Sequence, residues 1–335
     1  MTVLVTGASG LLGGAVARAL VARGDDVRTL QRRPSGVAGT TDVTGSLTDP
    51  AAVARAVDGA DAVVHLAAKV SLAGEPGAFD AVNVEGTRTL LDAAERSGVA
   101  RFVQVSSPSV AHAGSSLVGV GADPADPARA RGDYARTKAA AELLALGRDA
   151  AAHGPRVVAV RPHLVWGPGD TQLVERVVDR ARRGTLPLLG HGAALIDTIY
   201  VNNAADGIVA ALDRLADAPD VVGGNAYVLT NGEPRTVADL LAGICRAAGV
   251  EPPRRRVPAA AARAAGGLVE AVWRVRPGAD EPPMTRFLAE QLSTAHWFDQ
   301  RATRADLRWT PSVSVDEGMR RLAEHYGGAA QGPRG

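Results

Sequence analysis

The string Gly7-Ala8-Ser9-Gly10-Leu11-Leu12-Gly13 sets glycines at i, i+3 and i+6. It follows a β-rich run and opens a helical one. In that setting the first glycine permits a tight turn, the second lets backbone amides approach a pyrophosphate, and the third allows close helix–strand packing. The helix start turns its positive dipole end toward the phosphates. Gly7, Ser9, Gly10, Leu11, Leu12 and Gly13 are therefore the expected dinucleotide cradle. NAD-selective folds place an acid about 20 residues further on to hold the ribose 2′-hydroxyl. Here that place holds Gln31, followed by Arg32 and Arg33. Guanidinium forks pair with phosphate, so these arginines favour NADP(H), with NAD(H) as the other option; the bland reading is two solvated loop residues. Further on, Tyr134-Ala-Arg-Thr-Lys138 puts a phenol and an ammonium on one helix face. A free phenol titrates at about 10, and an adjacent positive charge favours the phenolate. Lowering it by about 3 units takes about 4 kcal/mol. The pair lies about 30 residues beyond a Ser-rich strand end, Val105-Ser106-Ser107-Pro108-Ser109-Val110. Phenol, ammonium and hydroxyl together suit proton transfer beside a hydride carrier.

The elements that must position these groups alternate. Strands are expected over Thr2–Thr6, Asp26–Leu30, Ala62–Leu66, Arg101–Ser106 and Val157–Arg161. Helices are expected over Leu11–Arg23, Pro50–Val57, Phe79–Gly98 and Tyr134–His153. Such alternation predicts an α/β fold with a parallel, doubly wound sheet. After Pro162 the pattern changes to helices over Thr171–Arg183, Asn202–Ala216, Thr236–Ala248, Ala265–Val275 and Val315–Tyr326, with one strand over Ala226–Thr230. This divides the chain into a dinucleotide-binding unit at 1–162, mostly a substrate lobe at 163–326, and a disordered tail at 327–335. Asn202–Ala216 and Ala226–Thr230 are the segments that could return to the first unit.

Lys+Arg is 37 against Asp+Glu 36, a net charge of +1. That balance gives no electrostatic case for nucleic acid or an anionic membrane. A composition of 46% hydrophobic and 22% charged residues argues for a soluble globule over disorder. The single cysteine, Cys245, excludes an internal disulfide and reads as core. Neither a secretory signal nor an apolar run of about 20 residues is present, so a cytoplasmic location is expected. No His/Cys cluster has metal-ligand spacing, and no catalytic metal is expected.

Together with Asp61–Ala68 (DAVVHLAA), Asn83–Thr87 (NVEGT) and Arg161–Asp170 (RPHLVWGPGD), these strings make nearly the whole chain resemble an extended short-chain dehydrogenase/reductase. Arg161–Asp170, Asp197–Gly207 and Met284–Asp299 narrow the likeness to the 3β-hydroxysteroid dehydrogenase-like branch. Within it the chain is most similar to bacterial 2-alkyl-3-oxoalkanoate reductases. The resemblance implies Tyr134 as proton donor and acceptor. It implies Lys138 as holder of the nicotinamide ribose, and Ser107 as hydrogen-bond partner of the substrate oxygen, with Ser109 a second contact. The implied substrate is small and hydrophobic, a long-chain 3-oxoacyl compound. A nucleotide-sugar epimerase or dehydratase, a steroid dehydrogenase and a non-catalytic NADP(H) sensor are the rival readings. Two departures stand out: Gly45-Ser46-Leu47 replaces Gly-Asp-Leu, and Val201-Asn202-Asn203 replaces Val-Asp-Asn.

Other residues carry two readings. His65 reads as a structural residue at the cofactor crevice, with the backbone of Leu66, Ala67 and Ala68 as the contact. Asn83 either orients the lysine through water or packs its helix. Pro162 and His163 are expected to meet the nicotinamide amide through backbone. His191, Asp197 and Tyr200 either line the substrate side or pack the lobe. The apolar patch in Ala265–Val275 either covers a lipid-like substrate, touches a membrane surface, or forms a lobe core. The Arg254–Arg256 run could serve a substrate phosphate or simply be a loop. A homodimer is compatible with all of this.

Overall fold

A computed structural model describes residues 1–70, 76–111, 116–149, 154–258, 260–262, 264 and 293–330. In chain order its first half runs β1 (Thr2–Thr6), α1 (Leu11–Ala22), β2 (Asp26–Gln31), β3 (Thr40–Thr44), α2 (Pro50–Val57) and β4 (Ala62–His65). A helical stretch follows: one α-turn at Pro76–Phe79, a π-helical segment at Asp80–Glu85, and α3 (Gly86–Arg96). Then come β5 (Arg101–Val105), a 3₁₀ turn at Pro108–Ala111, β6 (Leu117–Val120), α4 (Gly132–Leu146) and β7 (Arg156–Pro162). The second half holds β8 (Val165–Trp166), α5 (Val174–Arg182), β9 (Leu188–Leu189), β10 (Leu195–Ile196), β11 (Ile199–Tyr200) and α6 (Val201–Asp217). It continues with a short helix at Pro219–Val222, β12 (Ala226–Leu229), β13 (Arg235–Thr236), α7 (Val237–Ala247), β14 (Arg256–Val257), β15 (His296–Phe298), α8 (Arg301–Leu307) and α9 (Val315–Ala330).

Seven parallel strands form the main sheet in the order β12-β7-β5-β4-β1-β2-β3. The order reverses between β1 and β4, so the ligand crevice of a doubly wound sheet opens over their carboxyl ends. The central strands are buried on both faces: Val3, Leu4, Val5, Val63, Val64, Phe102 and Val103 have no accessible surface. One apolar layer joins α1, α6 and the second half; the other joins α2, α3 and α4. A smaller sheet, β13-β10-β15-β6, stands beside the main one.

Several boundaries differ from those read in the sequence. β3 was not anticipated, because Thr40-Thr-Asp-Val-Thr44 is a polar edge strand without apolar alternation. The expected Phe79–Gly98 helix contains the π segment, and α4 ends at Leu146, with 150–153 outside the described residues. α9 runs to Ala330, so Gly327–Ala330, expected to be disordered, is helical, while 331–335 lie outside the described residues. The helix expected over Ala265–Val275 and the part of the Met284–Asp299 string before Ser293 also lie outside them. Ala226–Leu229 does return to the main sheet, as β12 beside β7. Among the described residues no helix is long and apolar enough to cross a membrane.

Candidate active site

The glycine string forms the turn from β1 into α1. Gly7 has φ 78°, and a Cβ there would lie 3.0 Å from the Ala67 backbone. A Cβ on Gly13 would lie 2.3 Å from the Gly7 carbonyl oxygen, so only glycine lets the helix approach. Gly10 caps α1 without a side-chain acceptor, and the first turn carries no acid. The amides at Leu11, Leu12 and Gly13 therefore face an uncapped, positive helix end. Ser9, Leu11 and Leu12 keep accessible surface beside it. At the end of β2, Gln31 is buried, and its Oε1 lacks a hydrogen-bond partner. Arg32 and Arg33 follow it, exposed. An amide-lined cradle, an orphan acceptor where a ribose hydroxyl would sit and two exposed guanidiniums fit a nicotinamide dinucleotide.

Below this crevice runs a chain of uncharged hydrogen bonds. Thr6 Oγ1 accepts from the Leu66 and Ala67 amides at 3.1 and 3.0 Å. Its own proton is then free for His65 Nδ1, 2.7 Å away. Thr87 Oγ1 donates to the Asn83 carbonyl at 2.7 Å and so accepts from His65 Nε2 at 3.0 Å. His65 is thus the neutral Nε2–H tautomer. Burial, reinforced by the Lys138 charge, pushes it down to about 3. Asn83 donates to Thr137 Oγ1 at 3.0 Å and to the Lys69 carbonyl at 3.2 Å, and accepts from the Lys69 amide at 2.7 Å. Its three side-chain bonds tie the π segment to α4 and to the chain after β4. π segments often mark functional sites. Leu66, Ala67 and Ala68 lead away from the end of β4 beside Gly7.

Tyr134 and Lys138 sit one turn apart on α4. Lys138 is buried, and its Nζ donates to the Val105 carbonyl at 2.6 Å. Burial pushes Lys138 down to about 8, opposed by the Glu142 carboxylate. Tyr134 keeps part of its surface accessible, yet burial of its ring pushes the phenol up to about 12, opposed by a hydrogen bond from Ser107. The expected lowering by Lys138 is therefore not what the protein alone provides: Lys138 Nζ donates to the Val105 carbonyl, and desolvation dominates the phenol. Ser107, just past β5, accepts from Ser109 Oγ at 3.0 Å and from the Ser109 amide at 3.3 Å. Ser109 is buried in the 3₁₀ turn, and its only hydroxyl proton goes to Ser107, so a contact of its hydroxyl with a substrate would be made as acceptor. Val105, Ser107, Tyr134 and Lys138 thus converge at the carboxyl end of β5.

The remaining candidates separate. Pro162 ends β7 in register with Leu229, and the His163 amide donates to the Leu229 carbonyl at 3.1 Å. The His163 ring is buried, with Nδ1 2.7 Å from the Asp197 carbonyl and its face stacked on His296 at 5.8 Å. Asp197 is pushed up to about 6 by burial and accepts from Thr230 Oγ1 at 2.8 Å. Tyr200 is buried edge-on to Trp166, under Gly318 and the Arg321 guanidinium, so it packs the core and lines no open face. His191 is exposed in the turn before β10. Arg254 pairs with Glu251 at 2.7 Å on the surface. Ser46 Oγ is 2.8 Å from Thr48 Oγ1, and Asn202 is exposed while Asn203 is buried. Cys245 is core.

Sequence reading missed what the Arg161–Asp170 string does. Arg161 forms a buried two-pronged pair with Glu142, at 2.9 and 2.5 Å, and donates to the Asp123 carbonyl at 2.7 Å. Trp166 donates to Thr198 at 2.9 Å, and Asp170 caps α5 through the amides of 172–174. The signal available was Glu142 one turn beyond Lys138, an acid in an alanine-rich helix.

Residues 3–228 match the model of the NAD dependent epimerase/dehydratase family. A 2-alkyl-3-oxoalkanoate reductase of Stenotrophomonas maltophilia (strain K279a) is 40% identical over 96% of this chain and 98% of its own. A 3-beta-hydroxysteroid dehydrogenase of Mycolicibacterium neoaurum is 30% identical over 97% of this chain and 90% of its own. Among solved structures, gox2253 superposes with a TM-score of 0.78 at 26% identity, covering 99% of each chain. The chain belongs to the NAD dependent epimerase/dehydratase family, as an extended short-chain dehydrogenase/reductase. It is an enzyme, an oxidoreductase using a nicotinamide dinucleotide.

Proposed function

We propose that this enzyme is an NADP(H)-dependent ketoreductase that reduces the 3-oxo group of a long-chain, hydrophobic 2-alkyl-3-oxoalkanoate. The convergence of Ser107, Tyr134 and Lys138 at the carboxyl end of β5 carries the reading, and the reductase relative at 40% identity supports the substrate class. The cofactor, when bound, supplies the hydride. Gly7, Ser9, Gly10, Leu11, Leu12 and Gly13 would hold its pyrophosphate, and Arg32 and Arg33 its 2′-phosphate. Leu66, Ala67, Ala68 and Asn83 would border its middle, and Pro162 and His163 its nicotinamide amide. Lys138 would hold the nicotinamide ribose.

Tyr134 then delivers its phenolic proton to the substrate oxygen. A phenol held well above neutrality stays protonated until the alkoxide forms, which suits the donor in the reducing direction. Ser107 steadies the oxyanion as it develops. Lys138 brings a positive charge toward the resulting phenolate.

The test follows NADPH absorbance with a long-chain 2-alkyl-3-oxoalkanoate, against NADH. The expected result is rapid oxidation of NADPH and little of NADH. Tyr134→Phe should slow turnover by about 10²–10⁴-fold while NADPH still binds. Turnover retained in Y134F overturns the mechanism. Wild-type enzyme inert toward the oxoalkanoate, but active on a sterol or nucleotide sugar, overturns the substrate.

A further inference from the structure

A serine hydroxyl has one proton to give and two lone pairs to receive. At Ser107 both lone pairs are engaged by one neighbour. The Ser109 hydroxyl donates to Ser107 Oγ at 3.0 Å, and the Ser109 amide donates to it at 3.3 Å. The 3₁₀ turn packs on α4, and there the Ser107 hydroxyl opposes the rise that burial imposes on the Tyr134 phenol. With two donors already pointing at it, Ser107 can act on the phenol only by giving its proton. The direction of the chain is thus fixed: Ser109 to Ser107 to the phenol oxygen.

What fixes Ser109 is local. It lies inside the 3₁₀ turn Pro108–Ala111, whose Val110 amide donates to the Ser107 carbonyl at 3.2 Å. Pro108 before it restricts Ser107 to extended conformations. Ser109 is buried, so water does not compete for its hydroxyl. The neighbouring Ser106 hydroxyl is buried as well and has no partner, so it does not redirect the chain.

We infer that Ser109 is a positioning residue: by filling both lone pairs of Ser107 it makes Ser107 an obligatory donor toward the oxygen shared by Tyr134 and the substrate. The consequence is catalytic direction. A free serine would split its time between accepting from the phenol and donating to the substrate. Here Ser107 donates in both half-reactions, to the developing alkoxide in reduction and to the phenolate in oxidation. That is the pre-aimed dipole that stabilises charge without reorganising. The inference rests on the ketoreductase reading for its rate effect, but not for its effect on the free phenol.

Among the described residues, three sets of titratable groups stand on the flanking elements. Lys138 lies one turn further along α4, with its Nζ donating to the Val105 carbonyl. His65 of β4 is neutral. Asp133 and Arg136 of α4 engage each other and Asp80 of the π segment.

The experiment uses Ser109→Ala and Ser109→Thr in the full chain, with two readouts. The first is steady-state reduction. S109A should lower kcat by about tenfold, the factor one net hydrogen bond carries, with KM and the NADPH Kd unchanged; S109T should restore it. The second needs neither cofactor nor substrate. The chain has four tyrosines, so uniform 3-fluorotyrosine labelling gives a ¹⁹F spectrum in which Tyr134 is assigned by Y134F. Its titration midpoint should move upward in S109A and return in S109T. A raised KM with unchanged kcat would make Ser109 a substrate contact and overturn the inference, and so would an unmoved ¹⁹F midpoint. Should S109A fail to fold, Ser109→Cys, a weaker donor at the same place, reads the same quantities. Wild-type enzyme inert toward oxoalkanoates would overturn the proposed substrate, while the ¹⁹F titration would still decide the role of Ser109.

Discussion

A lysine ammonium as deeply buried as Lys138 loses most of its hydration and recovers part of it from one carbonyl and one nearby carboxylate. Its proton affinity therefore falls from 10.5 to about 8. Between those values the unfolded chain binds the proton and the folded one releases it, so the stability of the free enzyme should rise with pH across that window. Below about 8 both forms are charged, and the full burial cost applies. Lys138→Met should abolish turnover, raise stability at pH 7 by up to about 3 kcal/mol, and flatten the rise. Thermal unfolding of both proteins from pH 7 to 10.5 checks this; parallel curves would refute it. At this scale the sequence was legible where chemistry imposes local spacing. Tyr134 and Lys138 share a helix face, and Ser107 ends a strand. It was not legible where packing decides. The upward push on Tyr134 and the interior position of Tyr200 depend on distant segments, and nothing in their local spacing reports those.

Helix α4 must present Tyr134 and Lys138 at a fixed height above β5 and β7. Its buried face is mostly alanine, which lets it lie close to the sheet but gives little grip. The grip comes from Glu142 and Arg161, both essentially without exposed side-chain surface. Two desolvated charges are costly, and such pairs often add little net stability, yet removing one partner strands the other. Glu142→Gln should therefore lower stability by about 3–5 kcal/mol and move the Lys138-dependent rise in stability to lower pH, since the opposing carboxylate is gone. The double variant Glu142→Met/Arg161→Met should regain most of the stability but not the original pH dependence. Denaturant midpoints across pH for the three proteins separate grip from charge; a double variant with wild-type pH behaviour would show that Glu142 does not act on Lys138. Buried strands and amphipathic helices were readable here because their apolar periodicity is the force that folds them. β3 and the π segment were not. β3 is held by a ladder to β2 along a polar edge, and the π segment by three bonds from Asn83.

At the scale of the whole molecule the chain leaves the main sheet after β7, passes through α6, and returns as β12. Helix α6 then packs against α1, β5 and β7. This return was visible in the sequence only as an apolar strand after a helix, because parallel neighbours so far apart leave no local mark. What locks the return is Asn203, at the start of α6 and fully buried. Its Oδ1 accepts from the amides of Ser312 and Val313 at 3.1 and 3.0 Å, and its Nδ2 donates to the Val313 carbonyl at 2.7 Å and to Asn231 at 3.0 Å. One amide side chain thus joins α6, the turn after β12 and the approach to α9. Asn203→Ala would leave the buried Val313 amide and its neighbour without acceptors. The exposed Ser312 can turn to water, so at about 1–3 kcal/mol for the one buried orphan, stability should fall by about 1–3 kcal/mol. Among the described residues the glycine cradle makes no hydrogen bond to Asn203 or its partners, so NADPH affinity should hold at temperatures where the variant is folded. The effect should also be directional. If Asn203 is what fastens the C-terminal segment, limited proteolysis of N203A should cut within 308–330 before the β1–α1 region opens. Simultaneous loss of both regions would mean that the segment is fastened instead by the apolar contacts of α9 with α7.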